Sequence, residues 1–132
     1  MEEDQAYLSS LKLPFETVKL ERQNWVLIHN YPIPQGYNVS LATMGIRMVG
    51  CYPTAGLDMV YFFPPLNRMD GLPIGALTDH PLDGKNYQQW SRHRTSTNPW
   101  RPEVDNLSTH VPLADFWLEN EFKKRPGHAL SA

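Results

Sequence analysis

The sequence is poor in cysteine, in long apolar runs and in net charge. Its single cysteine, Cys51, excludes an internal disulfide, and no Cys-x-x-Cys pair is present to hold zinc. A formal charge of −2, with 12 basic against 14 acidic residues, is not the basic footprint of a nucleic-acid-binding protein. No run approaches the length of a membrane span, and the acidic N-terminal segment lacks the apolar stretch of a signal peptide. We therefore expect a soluble, cytoplasmic protein that binds neither nucleic acid nor membrane.

Aromatic residues and prolines, in contrast, are abundant. Aromatic residues make up 11% of a chain in which 41% of all residues are hydrophobic, which indicates a packed interior. A chain of 132 residues is long enough for one core, so we expect a single domain over residues 1–132 with its core at about 13–124. The 12 prolines interrupt the middle of the chain repeatedly and argue against long helices there.

Hydrophobic periodicity predicts a helix near each end of the chain. A short helix is expected over residues 4–11, and a longer one runs from Asp105, as its N-cap, to residue 124. The longer helix contains Pro112, where we expect a kink or a restart. One apolar stripe runs along it, because its apolar residues recur at spacings of three and four. The stripe consists of Leu107, Val111, Ala114, Leu118 and Phe122.

Four strands are predicted between these helices. Alternation begins at Phe15, a compact β-branched and aromatic run follows at 25–29, and two further strands are expected at 41–50 and 57–63. Residues 67–89 are rich in Gly, Pro, Asp and Asn, which predicts mostly irregular structure. This order indicates an α+β fold, in which the C-terminal helix covers one face of a four-stranded antiparallel meander.

The segment "QQWSRHRTSTNPWRP", at residues 88–102, concentrates tryptophan, arginine, histidine and hydroxyl groups. Together with Tyr52-Pro53 before the fourth strand and the Pro-Pro pair of "YFFPPL" after it, this segment resembles the ubiquitin-conjugating (UBC) fold. The closer resemblance is to the prokaryotic family E of ubiquitin-conjugating-like proteins. It is carried by "PIPQGYN", "GCYPTAGLDMVYF", "WSRH" and "WRPEVDNLSTH" in that order, over roughly residues 13–120.

The resemblance implies a UBC-like fold with an irregular active-site flap between the sheet and the C-terminal helix. It also implies a transferase of a bacterial ubiquitin-like modification pathway. The partners would be a ThiF-type activating enzyme, a ubiquitin-like protein and, from the same operon, a metallopeptidase of JAB or related type. The C-terminal acyl group of the ubiquitin-like protein would pass from the activating enzyme to this protein and then to an acceptor, and no small-molecule cofactor is implied.

The nucleophile is the open question within this resemblance. Conjugating enzymes normally use a cysteine, but Cys51 lies before the Tyr-Pro turn, far in sequence from the flap, and a free cysteine there is typical of a small core residue. Ser91 in "WSRH" best overlays the flap nucleophile. In an extended segment His93 projects to the same face and could serve as its base. We predict an oxyester on Ser91, the alternative being a serine that only bonds backbone in a turn.

Charged residues near this pair are predicted to support it. Arg92 and Arg94 could bind the oxyanion of a tetrahedral intermediate or steer an acidic partner, or they could pack their stems on tryptophan and keep their tips in water. Asp83 and Asp79 could orient His93 or lower the pKa of an incoming amine, or they could serve only the geometry of their turn.

Trp90 and Trp100 are predicted to anchor the two ends of the flap on the sheet. Asp58 falls within an apolar strand pattern, so its carboxylate must face water or find donors. The histidines lack the helical or tight-turn spacing of metal ligands, and no metal site is predicted.

Two other functions remain open at this point. A non-catalytic UBC-like adaptor would bind the ubiquitin-like protein or the activating enzyme, and the missing flap cysteine favours it. A small hydrolase would use Ser91 and His93, but the sequence has neither a Gly-x-Ser-x-Gly motif nor a clear third triad member.

Overall fold

The computed structural model describes residues 2–20, 22–50, 52, 54, 56–92, 99–102 and 104–124. This part of the chain forms α1 (Glu2–Ser10), β1 (Phe15–Leu20), β2 (Gln23–Pro32), β3 (Leu41–Met48), β4 (Val60–Phe63), β5 (Leu77–Leu82), β6 (Lys85–Trp90) and α2 (Leu107–Lys124). Neighbouring strands are antiparallel and lie in the order β1-β2-β3-β4-β6-β5. The predicted α+β class is confirmed. Neither of these two helices is long and apolar enough to cross a membrane.

The sheet is larger than the sequence predicted. The four expected strands are present, but the expectation of a four-stranded sheet is not confirmed, because β5 and β6 extend it to six strands. The prediction of irregular structure up to residue 89 is therefore wrong. Asp83 and Gly84 form the turn of this hairpin with φ angles of 53° and 73°, which an Asp-Gly pair adopts readily. β4 begins at Val60, three positions after the predicted start.

The start of α2 also differs from the prediction. The Oδ1 of Asn106 accepts a hydrogen bond from the backbone N–H of Ser108 at 2.9 Å, so Asn106 is the N-cap. Asp105 is buried instead, and its Oδ2 accepts from the backbone N–H of Arg101 at 2.7 Å. The assignment of Asp105 as the N-cap is wrong by one residue, because its carboxylate closes the preceding turn.

A single helix runs through Pro112, so the predicted restart does not occur. Pro112 is exposed on the outer side of α2, away from the apolar stripe. The stripe itself is confirmed, since its first four members are fully buried and its last is partly buried against them. α2 therefore covers one face of the sheet, as predicted.

The two faces of the sheet are buried in different ways. The face toward α1 and α2 holds the larger core, in which Phe62 and Trp90 are fully buried. The second core consists of strand residues, and the sheet curls so far that the rings of Trp25 in β2 and His80 in β5 have centroids 5.6 Å apart. Gly45 lies in β3 between these strands, where a side chain would meet Leu27.

Candidate functional site

Ser91 directly follows β6, next to the fully buried Trp90. Its backbone N–H donates to the carbonyl oxygen of Ala76 at 3.0 Å and so continues the pairing of β5 with β6. Its side chain is half-buried, and its Oγ accepts a hydrogen bond from Nε2 of Gln89 at 3.1 Å. Because the Gln89 amide occupies a lone pair of Oγ, the hydroxyl hydrogen stays available for a base.

Two residues with left-handed backbone flank the Ser91–Arg92 dipeptide. Ala76 has φ 55° and precedes β5, whereas Met59 has φ 63° and precedes β4. The Met59 N–H donates to the carbonyl oxygen of Arg92 at 3.0 Å. A residue with a side chain pays about 1–2 kcal/mol for this conformation. Such strain persists where the surroundings over-determine the backbone, and it gathers at functional sites.

The side chain of Arg92 points toward α2 and is nearly buried. Its Nη2 donates to Oε2 of Glu121 at 3.2 Å, and the two side chains are 11% and 1% exposed. Its Nη1 donates to the carbonyl oxygens of Gly75 at 3.1 Å and of Ser91 at 3.2 Å. The guanidinium lies 4.8 Å from the ring centroid of Trp90. Arg92 packs on tryptophan, as the alternative predicts, but its tip is paired with Glu121 and not in water. A role toward an oxyanion stays a prediction.

Glu121 belongs to a larger cluster of balanced charge in which Asp70 is exposed and the other members are buried or nearly so. The Nη1 of Arg68 donates to the Glu121 carbonyl oxygen at 3.2 Å, and its Nη2 pairs with Asp70 at 2.6 Å. The hydrogen bond from Arg68 holds the pKa of the Asp70 carboxyl below its usual range. Burial raises the pKa of the Tyr37 hydroxyl, and the Glu121 carboxylate raises it further against the opposing effect of Arg68 and Arg92. Two guanidinium groups and two carboxylates thus meet at the end of α2.

A second polar side chain of α2 supports the same dipeptide from the other side. His110 is fully buried, and its Nε2 lies 2.9 Å from the carbonyl oxygen of Met59. Because a carbonyl oxygen can only accept, Nε2 must carry the hydrogen. α2 therefore holds the dipeptide at two points. Glu121 binds the Arg92 side chain directly, and His110 binds Met59, whose N–H bonds to the Arg92 carbonyl oxygen.

Sequence reasoning gave neither His110 nor Glu121 a role at this site. A signal was present, because His110 follows Leu107 by three residues and Glu121 follows Leu118 by three, which places both on the apolar stripe. A polar group on a buried stripe requires a partner. Gln89 could also have been found, since it stands two residues before Ser91 in a strand and therefore shares its face.

The predicted aspartates lie elsewhere. Asp83 is exposed in the hairpin turn, and six residues of β6 separate it from Ser91, which amounts to about 20 Å. Asp79 is exposed on β5, where it pairs with Gln88. Asp58 is exposed and precedes β4. The structure does not bring Asp83 next to Ser91, and its position is the turn that the sequence left as the alternative.

Trp90 and Trp100 differ in depth. Trp90 is fully buried, and its indole Nε1 donates to Oε1 of Gln88 at 2.8 Å. Trp100 is half-buried and lies on Gly56, where an added Cβ would come within 2.7 Å of its ring. The Trp100 and Tyr52 ring centroids are 6.0 Å apart. Both tryptophans contact the folded body, one as part of the sheet and the other against a loop.

His93, Arg94 and Cys51 lie outside the described residues, and the roles given to them stay predictions. The described residues contain no group of three or more His, Cys, Asp or Glu that could hold a metal ion. A cavity of about 560 Å³ lies between α1 and the ends of β1 to β3, lined in part by Leu8 and Lys19. It is not part of the Ser91 surroundings, because its lining includes neither β5 nor β6.

The sequence matches the family described as Prokaryotic E2 family E over residues 1–121. Comparison with curated proteins and with solved structures found no match. The family match includes both helices but for the last residues of α2, all six strands, and the residues Ser91, Arg92 and Glu121. The chain therefore belongs to Prokaryotic E2 family E and is a ubiquitin-conjugating-like protein.

Proposed function

We propose that this protein is a conjugating-type transferase that accepts the C-terminal acyl group of a ubiquitin-like protein on Ser91. The observation that carries the proposal is the setting of Ser91. Its half-buried hydroxyl accepts a hydrogen bond from Gln89, and strained backbone at Ala76 and Met59 fixes the dipeptide it begins. A fixed position matters for a nucleophile of this kind, because correct orientation toward the acyl carbon lowers the barrier of acyl transfer.

The proposed step exchanges one ester-like bond for another. The Oγ of Ser91 attacks the carbonyl carbon of the terminal glycine, which a ThiF-like activating enzyme carries as an activated acyl group. A C–O bond forms, the bond to the leaving group breaks, and the proton of the hydroxyl passes to a base and then to the leaving group. His93 is our candidate for that base. Attack by an acceptor nucleophile on the oxyester then completes the transfer and restores the serine hydroxyl.

The amide of Gln89 has a defined part in this step. When the proton leaves Ser91, negative charge develops on Oγ, and the donor at 3.1 Å stabilises it. The same donor later favours the serine oxygen as a leaving group. Gln89 is thus proposed as a supporting residue beside Arg92 and the predicted Arg94.

A non-catalytic adaptor is the second candidate function. One observation favours it: among the described residues, the group that hydrogen-bonds Oγ of Ser91 is the donor amide of Gln89 and not a base. Such an adaptor would bind the ubiquitin-like protein or the activating enzyme without a covalent adduct.

The test is to incubate the protein with ATP, a ThiF-like activating enzyme and a ubiquitin-like protein, and to record intact masses. We expect an adduct that thiols leave intact and hydroxide cleaves, and that maps to Ser91. Ser91→Ala should form none, whereas Ser91→Cys should form a thiol-labile adduct and the matched control Ser108→Ala, on the exposed side of α2, should behave as wild type.

The outcomes separate the two candidates. A hydroxide-labile adduct on the Ser91→Ala protein would discard Ser91 as the acceptor. If the wild-type protein gains no mass but forms a complex with either partner in size-exclusion chromatography, the adaptor function holds instead. A metallopeptidase of JAB type encoded nearby would be expected to process the ubiquitin-like protein in either case.

A further inference from the structure

The backbone groups of β5 alternate between the neighbouring strand β6 and the outer edge of the sheet. A two-residue turn joins the strands, so the flanking pair Leu82 and Lys85 exchanges both of its backbone hydrogen bonds. Every second residue back from Leu82 therefore bonds to β6 through its backbone. These residues are Leu82, His80 and Thr78, and Ala76 continues the series toward Ser91. The hydrogen bond from the Ser91 N–H to the Ala76 carbonyl confirms this register independently.

The remaining residues of β5, at positions 77, 79 and 81, direct their backbone groups outward. Pro81 has no N–H, and an outward position is where a sheet tolerates proline. In the described part of the chain β5 is the last strand of the sheet and pairs with β6 alone. The outer edge thus offers the N–H and C=O groups of Leu77 and Asp79. Toward the end of β5 it lacks a donor, because Pro81 has no N–H.

We infer that the C-terminal tail of the ubiquitin-like protein adds to this edge as a short antiparallel strand. The inference rests on the proposed function of Ser91. Addition of a strand to an open edge uses main-chain hydrogen bonds, which a tail with little side-chain chemistry can supply. The direction follows from the position of Ser91, which lies opposite Ala76. The C-terminus of the tail must lie beside Leu77, where β5 begins, so the tail and β5 run in opposite directions.

The distance from this edge to Ser91 requires two unpaired residues at the end of the tail. Neighbouring strands lie about 4.8 Å apart, so the added strand would be about 10 Å from the Ser91 backbone. Two residues beyond the one paired with Leu77 span about 7 Å, and the serine side chain covers most of the remainder. They must bend across Ala76, which is exposed and small, as is Thr78 beside it on the same face. Glycine is suited to that bend, and a Gly-Gly terminus therefore fits.

Hydrogen exchange of single amides tests this inference without chemistry at Ser91. The experiment uses the Ser91→Ala protein with a saturating amount of a purified ubiquitin-like protein that ends in Gly-Gly. We expect the amides of Leu77 and Asp79 to exchange at least about tenfold more slowly in the complex, because each gains a main-chain hydrogen bond. The Thr78 amide already bonds to β6 and serves as the internal control.

A pair of substitutions at one position tests the same bond through activity. Asp79→Pro removes the outward N–H and leaves the bonds to β6, whereas Asp79→Ala removes only the carboxylate. We expect Asp79→Pro to form the Ser91 adduct about tenfold more slowly than Asp79→Ala. Thermal unfolding of both variants shows whether the Asp79→Pro protein folds. If it does not fold, the amide exchange measurement alone tests the edge-strand inference.

Each outcome bears on one proposal or the other. Unchanged exchange at Leu77 and Asp79 in the saturated complex, or equal rates for two folded variants, would overturn the edge-strand inference. An adduct on wild-type Ser91 without protection of these amides would overturn it while the proposed function stands. Protection without an adduct would support the edge strand as a docking site and remove Ser91 as an acyl acceptor.

Discussion

The two ends of the β5–β6 hairpin have the same secondary structure and very different surroundings. At the turn, the left-handed backbone belongs to Asp83 and Gly84, residue types that adopt it readily, and Asp83 is exposed. At the other end, left-handed backbone belongs to Ala76 and Met59, which do not favour it, and Ser91 lies between them. Burial and strain, and not the strand itself, therefore distinguish the end where we place the function.

The buried ion pair adds to this contrast. A buried pair rarely stabilises a fold more than apolar residues of the same volume would, because both charges lose their water. The bond between Arg92 and Glu121 therefore does more to fix geometry than to add stability. It joins the residue after Ser91 to the helix that covers the sheet.

The largest effect is expected from the tryptophan at the Ser91 end. Trp90→Ala should lower the free energy of unfolding by about 3–5 kcal/mol, because it empties a fully buried site. The matched change near the turn, Asn86→Ala, should alter it by about 0.5 kcal/mol or less, because Asn86 is exposed. Urea unfolding followed by circular dichroism measures both, and similar losses at the two ends would break the comparison.

A smaller effect is expected from the ion pair. Glu121→Gln keeps the shape of the side chain but leaves the nearly buried Arg92 cation without its counter-charge, which should cost about 1.5–3 kcal/mol. Glu119→Gln on the exposed side of α2 is the control and should have little effect. If Glu121 positions the dipeptide, its substitution also shifts the amide resonances of Ser91 and Arg92 in NMR spectra. Unmoved resonances would mean that the pair does not position Ser91.

The smallest effect has the opposite sign. Ala76→Gly should stabilise the protein by about 0.5–1 kcal/mol, because glycine adopts φ 55° without the steric penalty. Asp83→Gly should gain only a few tenths, since aspartate tolerates this conformation better. If the strain at Ala76 serves Ser91, the more stable variant forms the adduct more slowly. Equal gains in melting temperature at the two ends would show that they carry the same strain.

Much of the larger core could be predicted from the sequence, because its signals are local. The apolar stripe of α2 follows from periodicity, the first four strands follow from alternation and from β-branched and aromatic runs, and the structure contains all of them. The N-cap was misplaced by one residue, since Asp105 and Asn106 are equally suited to the position and only the hydrogen bond to Arg101 distinguishes them.

The hairpin was missed for a physical reason. The content of Gly, Pro, Asp and Asn in residues 67–89 indicates irregular structure, but Pro81 stands at an outward position of an edge strand, where no N–H is required. The Asp83-Gly84 pair was itself a hairpin signal, and it was hidden among other turn-forming residues. Of the candidate site, Ser91 stays a prediction from the sequence. The position of Glu121 on the apolar stripe could have been read from its spacing, but its partner Arg92 could not, because the two are 29 residues apart in the chain.

The covering of the sheet by α2 has a consequence for synthesis on the ribosome. All six described strands are translated before this helix, so until α2 emerges the larger apolar face of the sheet can be covered only by the nine-residue α1. An exposed face of this kind is prone to aggregation and is the surface that chaperones recognise. Completion of the native core is therefore a late event, and truncation within α2 leaves the part of that face that α1 does not cover exposed.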